Sequence, residues 1–196
     1  MSSELRVSHS SFTSDKKLIG LAGPARSGKD TAAEYLTAHG YNHYYFAKPL
    51  YEALSVMLGI SVPELKRRKE EVIPPFNKTI RYMLQTLGTE WARNLVHPDY
   101  WVMLADRFYH RSEHSVVISD VRFENEAHWI RALGGMVFHL ERGHRESIDN
   151  AGHQSEAGVK VHEMDVVIEN NTTIDDLYRA IGAARSHYDW LKHGDI

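Results

Sequence analysis

The chain has 196 residues, 42% hydrophobic and 25% charged, which suits one soluble domain with a substantial buried core. Its net charge of -3 argues against nucleic-acid binding by bulk electrostatics and leaves room only for a local basic cleft. Cysteine is absent, which excludes disulfides, thiolate metal sites and cysteine nucleophiles and fits a reducing compartment.

Residues 1–15 are polar and serine-rich and read as a tail outside the fold. They contain no apolar signal region, and no apolar run nears the ~18 residues that span a bilayer. A cytoplasmic protein without membrane contact is expected. Residues 16–196 read as a single domain. Its first strand, 17–22, enters Gly23-Pro24-Ala25-Arg26-Ser27-Gly28-Lys29-Asp30-Thr31, and a helix follows over 29–39. Gly23, Gly28 and Lys29 have the spacing of a phosphate-binding loop. Glycines let backbone N–H groups turn toward an anion, the helix N-terminus points at the same place, and Lys29 adds a mobile full charge. Asp30 stands where Ser or Thr is usual, with Thr31 one residue later.

A second strand over 42–46 leads to a helix that Pro49 opens and that runs to about residue 58. Lys48 sits at this junction, where a solvated surface position and a ligand contact are equally suited. A short exposed helix is expected over 63–71, with its Lys66-Arg67-Arg68-Lys69 run on a solvated face because acids flank it. Pro74-Pro75 breaks the chain. Helix is expected over 78–95, with Ile80, Met83, Leu84, Leu87 and Trp91 as its apolar stripe. Arg81, Gln85 and Arg93 fall beside that stripe, as rim residues or as the wall of a cleft for a phosphate and a base. A helix over 98–111 carries Trp101 near its start.

Strand 115–120 is apolar and ends in Asp120, a Walker B-like arrangement in which a carboxylate sits near the phosphate loop and can organise Mg²⁺. Alone, Asp120 would be equally at home as a turn or capping acid. Arg122 follows, then a helix over 124–133 with acids in its first turn, and strand 136–140. The polar stretch at 142–160 holds Arg142 and Arg145 and suits either a surface loop or a lid. A strand over 165–169 and a helix from Thr172 or Thr173 to about residue 191 complete the chain. The alternation predicts an α/β fold, a parallel sheet of about five strands between helices. The 13 histidines show no zinc-type spacing, and no Ser/His/Asp constellation is visible.

The loop from Gly23 to Thr31 resembles that of phage-type deoxynucleoside monophosphate kinases. Further blocks agree in order: Phe46-Ala47-Lys48-Pro49-Leu50, Arg81 through Leu84-Gln85, Gly88-Thr89-Glu90 to Arg93, and Asp99-Tyr100-Trp101-Val102. Asp120-Val121-Arg122-Phe123-Glu124-Asn125-Glu126-Ala127 and His153-Gln154-Ser155-Glu156 complete the set. The resemblance implies an adenylate-kinase-like P-loop NTPase fold, a three-layer sandwich with a helical substrate region at about 47–112 and a small lid. It implies ATP as cofactor and a deoxynucleoside monophosphate as substrate. The Lys-Asp-Thr ending is similar to the Lys-Gly-Thr of adenylate kinases, where the hydroxyl likewise comes one residue later.

Phosphoryl transfer needs in-line positioning and charge neutralisation. Gly23, Arg26, Ser27, Gly28, Lys29, Asp30 and Thr31 are expected at the ATP phosphates. Thr31 and Asp120 are expected at Mg²⁺, directly or through water, with the choice between Asp30 and Thr31 open. Arg81, Arg93 and Arg122 are nominated to clamp the acceptor phosphate bidentately. Lys48, Gln85 and Trp101 are expected to line the nucleoside pocket. Arg142 and Arg145 would close from the lid. Lys29, Asp120, Arg122 and Arg142 form the expected catalytic set. Rival readings are a kinase of another phosphorylated metabolite, of dephospho-coenzyme A or phosphomevalonate type, and a regulatory ATPase module. Base preference, and monomer against homodimer, stay open.

Overall fold

The computed structural model describes residues 16–143 and 158–193. Five parallel strands form the central sheet in the order β2-β5-β1-β6-β7, as Asn42–Tyr44, Val116–Val121, Leu18–Ala22, Met136–Glu141 and Val166–Glu169. β1 is central and buried along its whole length, which is why it reads as an unbroken apolar run. Alternation then sorts its side chains. Ile19 and Leu21 join Val117 and Phe138 beneath α1 (Lys29–Ala38) and α7 (Ile174–His193). Leu18 and Ala22 join Val116, Ile118 and Val137 beneath the helices that follow β2. The result is three layers with one core on each face of the sheet.

Those other helices are α2 (Lys48–Leu58), α3 (Val62–Arg67), α4 (Ile80–Gln85), α5 (Tyr100–Arg111) and α6 (Glu124–Ala132). A two-stranded antiparallel hairpin, β3 (Val72–Ile73) and β4 (Lys78–Thr79), brackets Pro74-Pro75. Strands two residues long carry no periodicity, so this stretch reads in sequence only as a break. Thr173 caps α7 through a reciprocal pair: its hydroxyl accepts from the Asp176 N–H and the Asp176 carboxylate accepts from its own. Among the described residues, no helix is long and apolar enough to cross a membrane.

Two predicted elements differ. β2 ends at Tyr44 because the amides of Phe46 and Ala47 leave the ladder and donate to Asp120, at 2.7 and 3.1 Å. The helix expected over 78–95 starts at Ile80 and changes winding after Gln85 into a π-helix, Thr86–Val96. Wider winding turns the face away from a 3.6-residue stripe. Gly88 and Ala92 are buried, and Trp91, predicted inward, is 43% exposed.

Because every sheet strand is parallel, the loops after β1, β2, β5, β6 and β7 all emerge at one edge. The β1–β5 register shifts there: Gly20 pairs with Ile118 and Ala22 with Val121. Ser119 and Asp120 thus lie opposite the single residue Leu21, a bulge that re-aims the end of the strand.

Candidate active site

The loop between β1 and α1 is built on two left-handed glycines, Gly23 at φ 133° and Gly28 at φ 104°. A Cβ at Gly23 would lie 2.3 Å from the Leu140 carbonyl oxygen, so the backbone approach excludes any side chain. Lys29 donates from Nζ to the carbonyls of Gly23 and Pro24, at 2.8 and 2.6 Å. Asp30 is exposed in the first turn of α1, where the helix dipole favours an acid, and Thr31 is half-buried one residue on. Arg26 has a positive φ of 64° and an exposed side chain, and its carbonyl oxygen lies 3.4 Å from Arg142 Nη1. Ser27, expected at the phosphates, is only 1% exposed, so its hydroxyl lies beneath the loop. Its backbone is engaged: the Ser27 N–H donates to the Pro24 carbonyl at 3.3 Å.

A cleft opens between the C-terminal end of β5, the sheet neighbour of β1, and the helices of the 47–112 region. Arg81, Gln85, Arg93, Trp101, Asp120 and Arg122 all line it, gathered from four separate stretches of sequence. Lys48 is not among them; its ammonium lies 5.7 Å from the centroid of the Phe108 ring. Arg145 and the block from His153 to Glu156 fall outside the described residues, as does most of the expected lid. Trp101 is buried at 6% exposure and donates from Nε1 to the Gly88 carbonyl at 2.8 Å. Its indole N–H is therefore spent on the π-helix, and a ring surface is what it offers the cleft.

Two charged lining residues are not nominated as site residues from the sequence. Lys69 belongs to the basic run read as a solvated face, but α3 stops at Arg67 and the chain turns. The Lys69 carbonyl then accepts from the Arg81 N–H at 2.8 Å. Burial, and next the guanidinium groups of Arg81 and Arg122, push the Lys69 ammonium down from its ordinary value. Burial leads that shift, and the neighbouring positive charge adds to it.

Glu126 is the second. Its side chain is 2% exposed, and it accepts from Arg93 Nη2 at 2.7 Å, the Arg122 N–H at 2.8 Å and the Phe123 N–H at 3.1 Å. Arg93 also lies over the Phe123 ring, 3.9 Å from its centroid. One carboxylate thus sets both an arginine side chain and the turn that carries another. In sequence, Glu126 reads as an acid suited to a helix first turn and as one member of the block from Asp120 to Ala127, with no role nominated for it. Asp120 takes one backbone N–H on each oxygen, from Phe46 and Ala47, and burial pushes its carboxyl up against those bonds and the charges of Arg122 and His43.

Burial, followed by the charge of Asp120, pushes Glu126 up to about 7 from an ordinary 4.5. The native state then holds this proton more tightly than the unfolded chain does. The contribution is fully present below pH 4.5 and is lost as pH rises through about 7. Glu126→Gln cannot titrate, so the unfolding free energy of the parent relative to this variant should fall between pH 5 and 7. Urea denaturation across that window checks this; a difference that grows with pH would contradict it.

A parallel sheet whose first strand feeds a glycine loop and a lysine-bearing helix defines the P-loop class of nucleotide-binding proteins. Solved structures agree on the fold, and on the fold alone. TT1252 from Thermus thermophilus gives a TM-score of 0.50 at 20% identity, covering 88% of this chain and 97% of that one. A gluconokinase from Sinorhizobium meliloti 1021 gives 0.50 at 14% identity, covering 92% and 98%. The family model described as deoxynucleotide monophosphate kinase matches residues 64–181. A protein of Acanthamoeba polyphaga mimivirus, provisionally named a deoxynucleotide monophosphate kinase, is 34% identical over 182 residues, which cover 84% of this chain and 93% of the relative. The deoxynucleotide monophosphate kinase of Enterobacteria phage T4 is 26% identical over 236 residues, covering 84% and 97%. The chain belongs to the deoxynucleotide monophosphate kinase family.

Proposed function

We propose that this protein transfers the γ-phosphoryl group of ATP to deoxynucleoside monophosphates, releasing ADP and the deoxynucleoside diphosphate. What supports this reading is that one sheet edge carries both a glycine-built loop with Lys29 and a cleft lined by Lys69, Arg81, Arg93 and Arg122. The loop suits the donor phosphates and the cleft beside Asp120 suits the acceptor phosphate. A single phosphate site would suit an ATPase; two suit a transferase.

In this reading, backbone N–H groups of the loop and the Lys29 ammonium hold the ATP phosphates. Arg81, Arg93, Arg122 and Lys69 hold the acceptor phosphate, Trp101 supplies an apolar wall for the base, and Gln85 a polar edge. An acceptor oxygen attacks the γ-phosphorus as the bond to the β–γ bridging oxygen breaks. That oxygen is already anionic, so the residues need position and neutralise rather than remove a proton.

Mg²⁺, when bound, supplies further neutralisation at the outer phosphates. The donors suit that ion. Among the described residues, no three His, Asp or Glu side chains converge as a self-sufficient metal site. Thr31 brings a hydroxyl, and each Asp120 oxygen keeps lone-pair capacity beyond its one backbone bond. Such a partial set leaves room for phosphate oxygens and water, which Mg²⁺ prefers.

A bisubstrate compound joining adenosine to a deoxynucleoside through five phosphates tests the pairing directly. It should bind at least ~10²-fold tighter than ATP, and both Lys29→Ala and Arg122→Ala should weaken it. Affinity no better than that of ATP would show that the two sites do not work together. Arg142, beside the Arg26 carbonyl, is proposed to meet the transferring group: Arg142→Ala should lower kcat more than it raises KM for ATP. Unchanged turnover would remove that role.

A further inference from the structure

Asn170 follows the last residue of β7 and is buried, at 8% exposure. Its N–H continues the strand pairing by donating to the Glu141 carbonyl at 2.7 Å, which locks its backbone to β6. Its side chain crosses to the phosphate loop, where Nδ2 donates to the Ser27 carbonyl at 2.9 Å. The fit is close. A Cβ built on Gly28 would stand 2.5 Å from Asn170 Nδ2, so this carboxamide fills the space that makes glycine obligatory there.

The consequence lies in the peptide plane. The Ser27 carbonyl and the Gly28 N–H belong to one planar trans unit and point in opposite directions. Holding the carbonyl down toward Asn170 therefore turns the Gly28 N–H up toward the mouth of the loop. With no donor beneath it, that unit could rotate through the permissive φ of glycine, and the carbonyl would then face an anion. The neighbouring carbonyls are also held: Lys29 takes those of Gly23 and Pro24, and Arg142 approaches that of Arg26. Asn170 alone among these holders is buried and anchored to the sheet.

We infer that Asn170 is a positioning residue that orients the Gly28 amide for the donor nucleotide's phosphates, without touching the nucleotide itself. The inference rests on the proposed use of this loop for ATP. Asn170→Ala and the same-sized Asn170→Asp, whose ionised carboxylate cannot donate, both remove the bond. Each should weaken binding of inorganic tripolyphosphate and raise KM for ATP by about tenfold, the effect of one lost hydrogen bond. KM for the deoxynucleoside monophosphate should stay within about twofold, because the acceptor cleft is untouched. Either variant alone decides the matter if the other does not fold. Parent-like tripolyphosphate binding, or an equal loss for donor and acceptor, would overturn the role of Asn170. Failure of the parent itself to bind tripolyphosphate would instead overturn the reading of the loop.

Discussion

Lys29→Ala should lower kcat by at least ~10²–10³ while the unfolding transition stays where it is. Lysine at this position brings the full charge that can follow the outer phosphates as they separate, and backbone dipoles cannot replace it. Its ammonium meets the protein at the rim of the loop, on the carbonyls of Gly23 and Pro24, and neither core includes it. Chemistry and stability are therefore separable at this residue. Activity follows from single-turnover phosphoryl transfer, and stability from thermal unfolding of the same sample. Near-normal turnover would remove the loop from the reaction.

Arg122→Ala should lower kcat/KM for the deoxynucleoside monophosphate by ~10²-fold or more, with KM for ATP moving no more than about twofold. The backbone of Arg122 is fixed by Glu126, whereas its side chain is exposed at the cleft, so truncation leaves the turn in place. Its charge is felt across the cleft, lowering the proton affinity of Lys69 and opposing the burial of Asp120. Arg122→Lys should recover only part of the loss, because a point charge cannot make the bidentate contact of a guanidinium. Initial rates with each substrate varied in turn separate the two KM values. An equal change in both would mean that Arg122 serves the fold and not the acceptor.

The phosphate loop was legible because Gly23, Gly28 and Lys29 encode backbone conformation and charge at fixed spacing, and β1 because burial on both faces leaves an apolar run. Arg81 and Arg93 were legible as residues beside the apolar stripe, and Arg122 as a cation just past Asp120; that they converge is a tertiary fact. The cleft's other parts depend on features with no local signal. Lys69 turns inward only because α3 ends early and the hairpin returns Arg81 to its carbonyl. Trp91 and Gly88 exchange places because the helix winds in steps that a 3.6-residue template cannot see. Asp120 is delivered by a bulge in a parallel pair, and Glu126 gains its part from three donors on two elements. Lys48 shows the converse: a junction position that sequence made eligible, turned by packing toward Phe108.

The most direct measurement is product analysis after incubating the protein with ATP and Mg²⁺ and each deoxynucleoside monophosphate, ribonucleoside monophosphates and phosphorylated metabolites alongside. The two-site reading predicts ADP and a deoxynucleoside diphosphate in equal amounts, with little ADP when no acceptor is present. ADP released without a phosphorylated product, or a product formed only from a non-nucleotide metabolite, would contradict it.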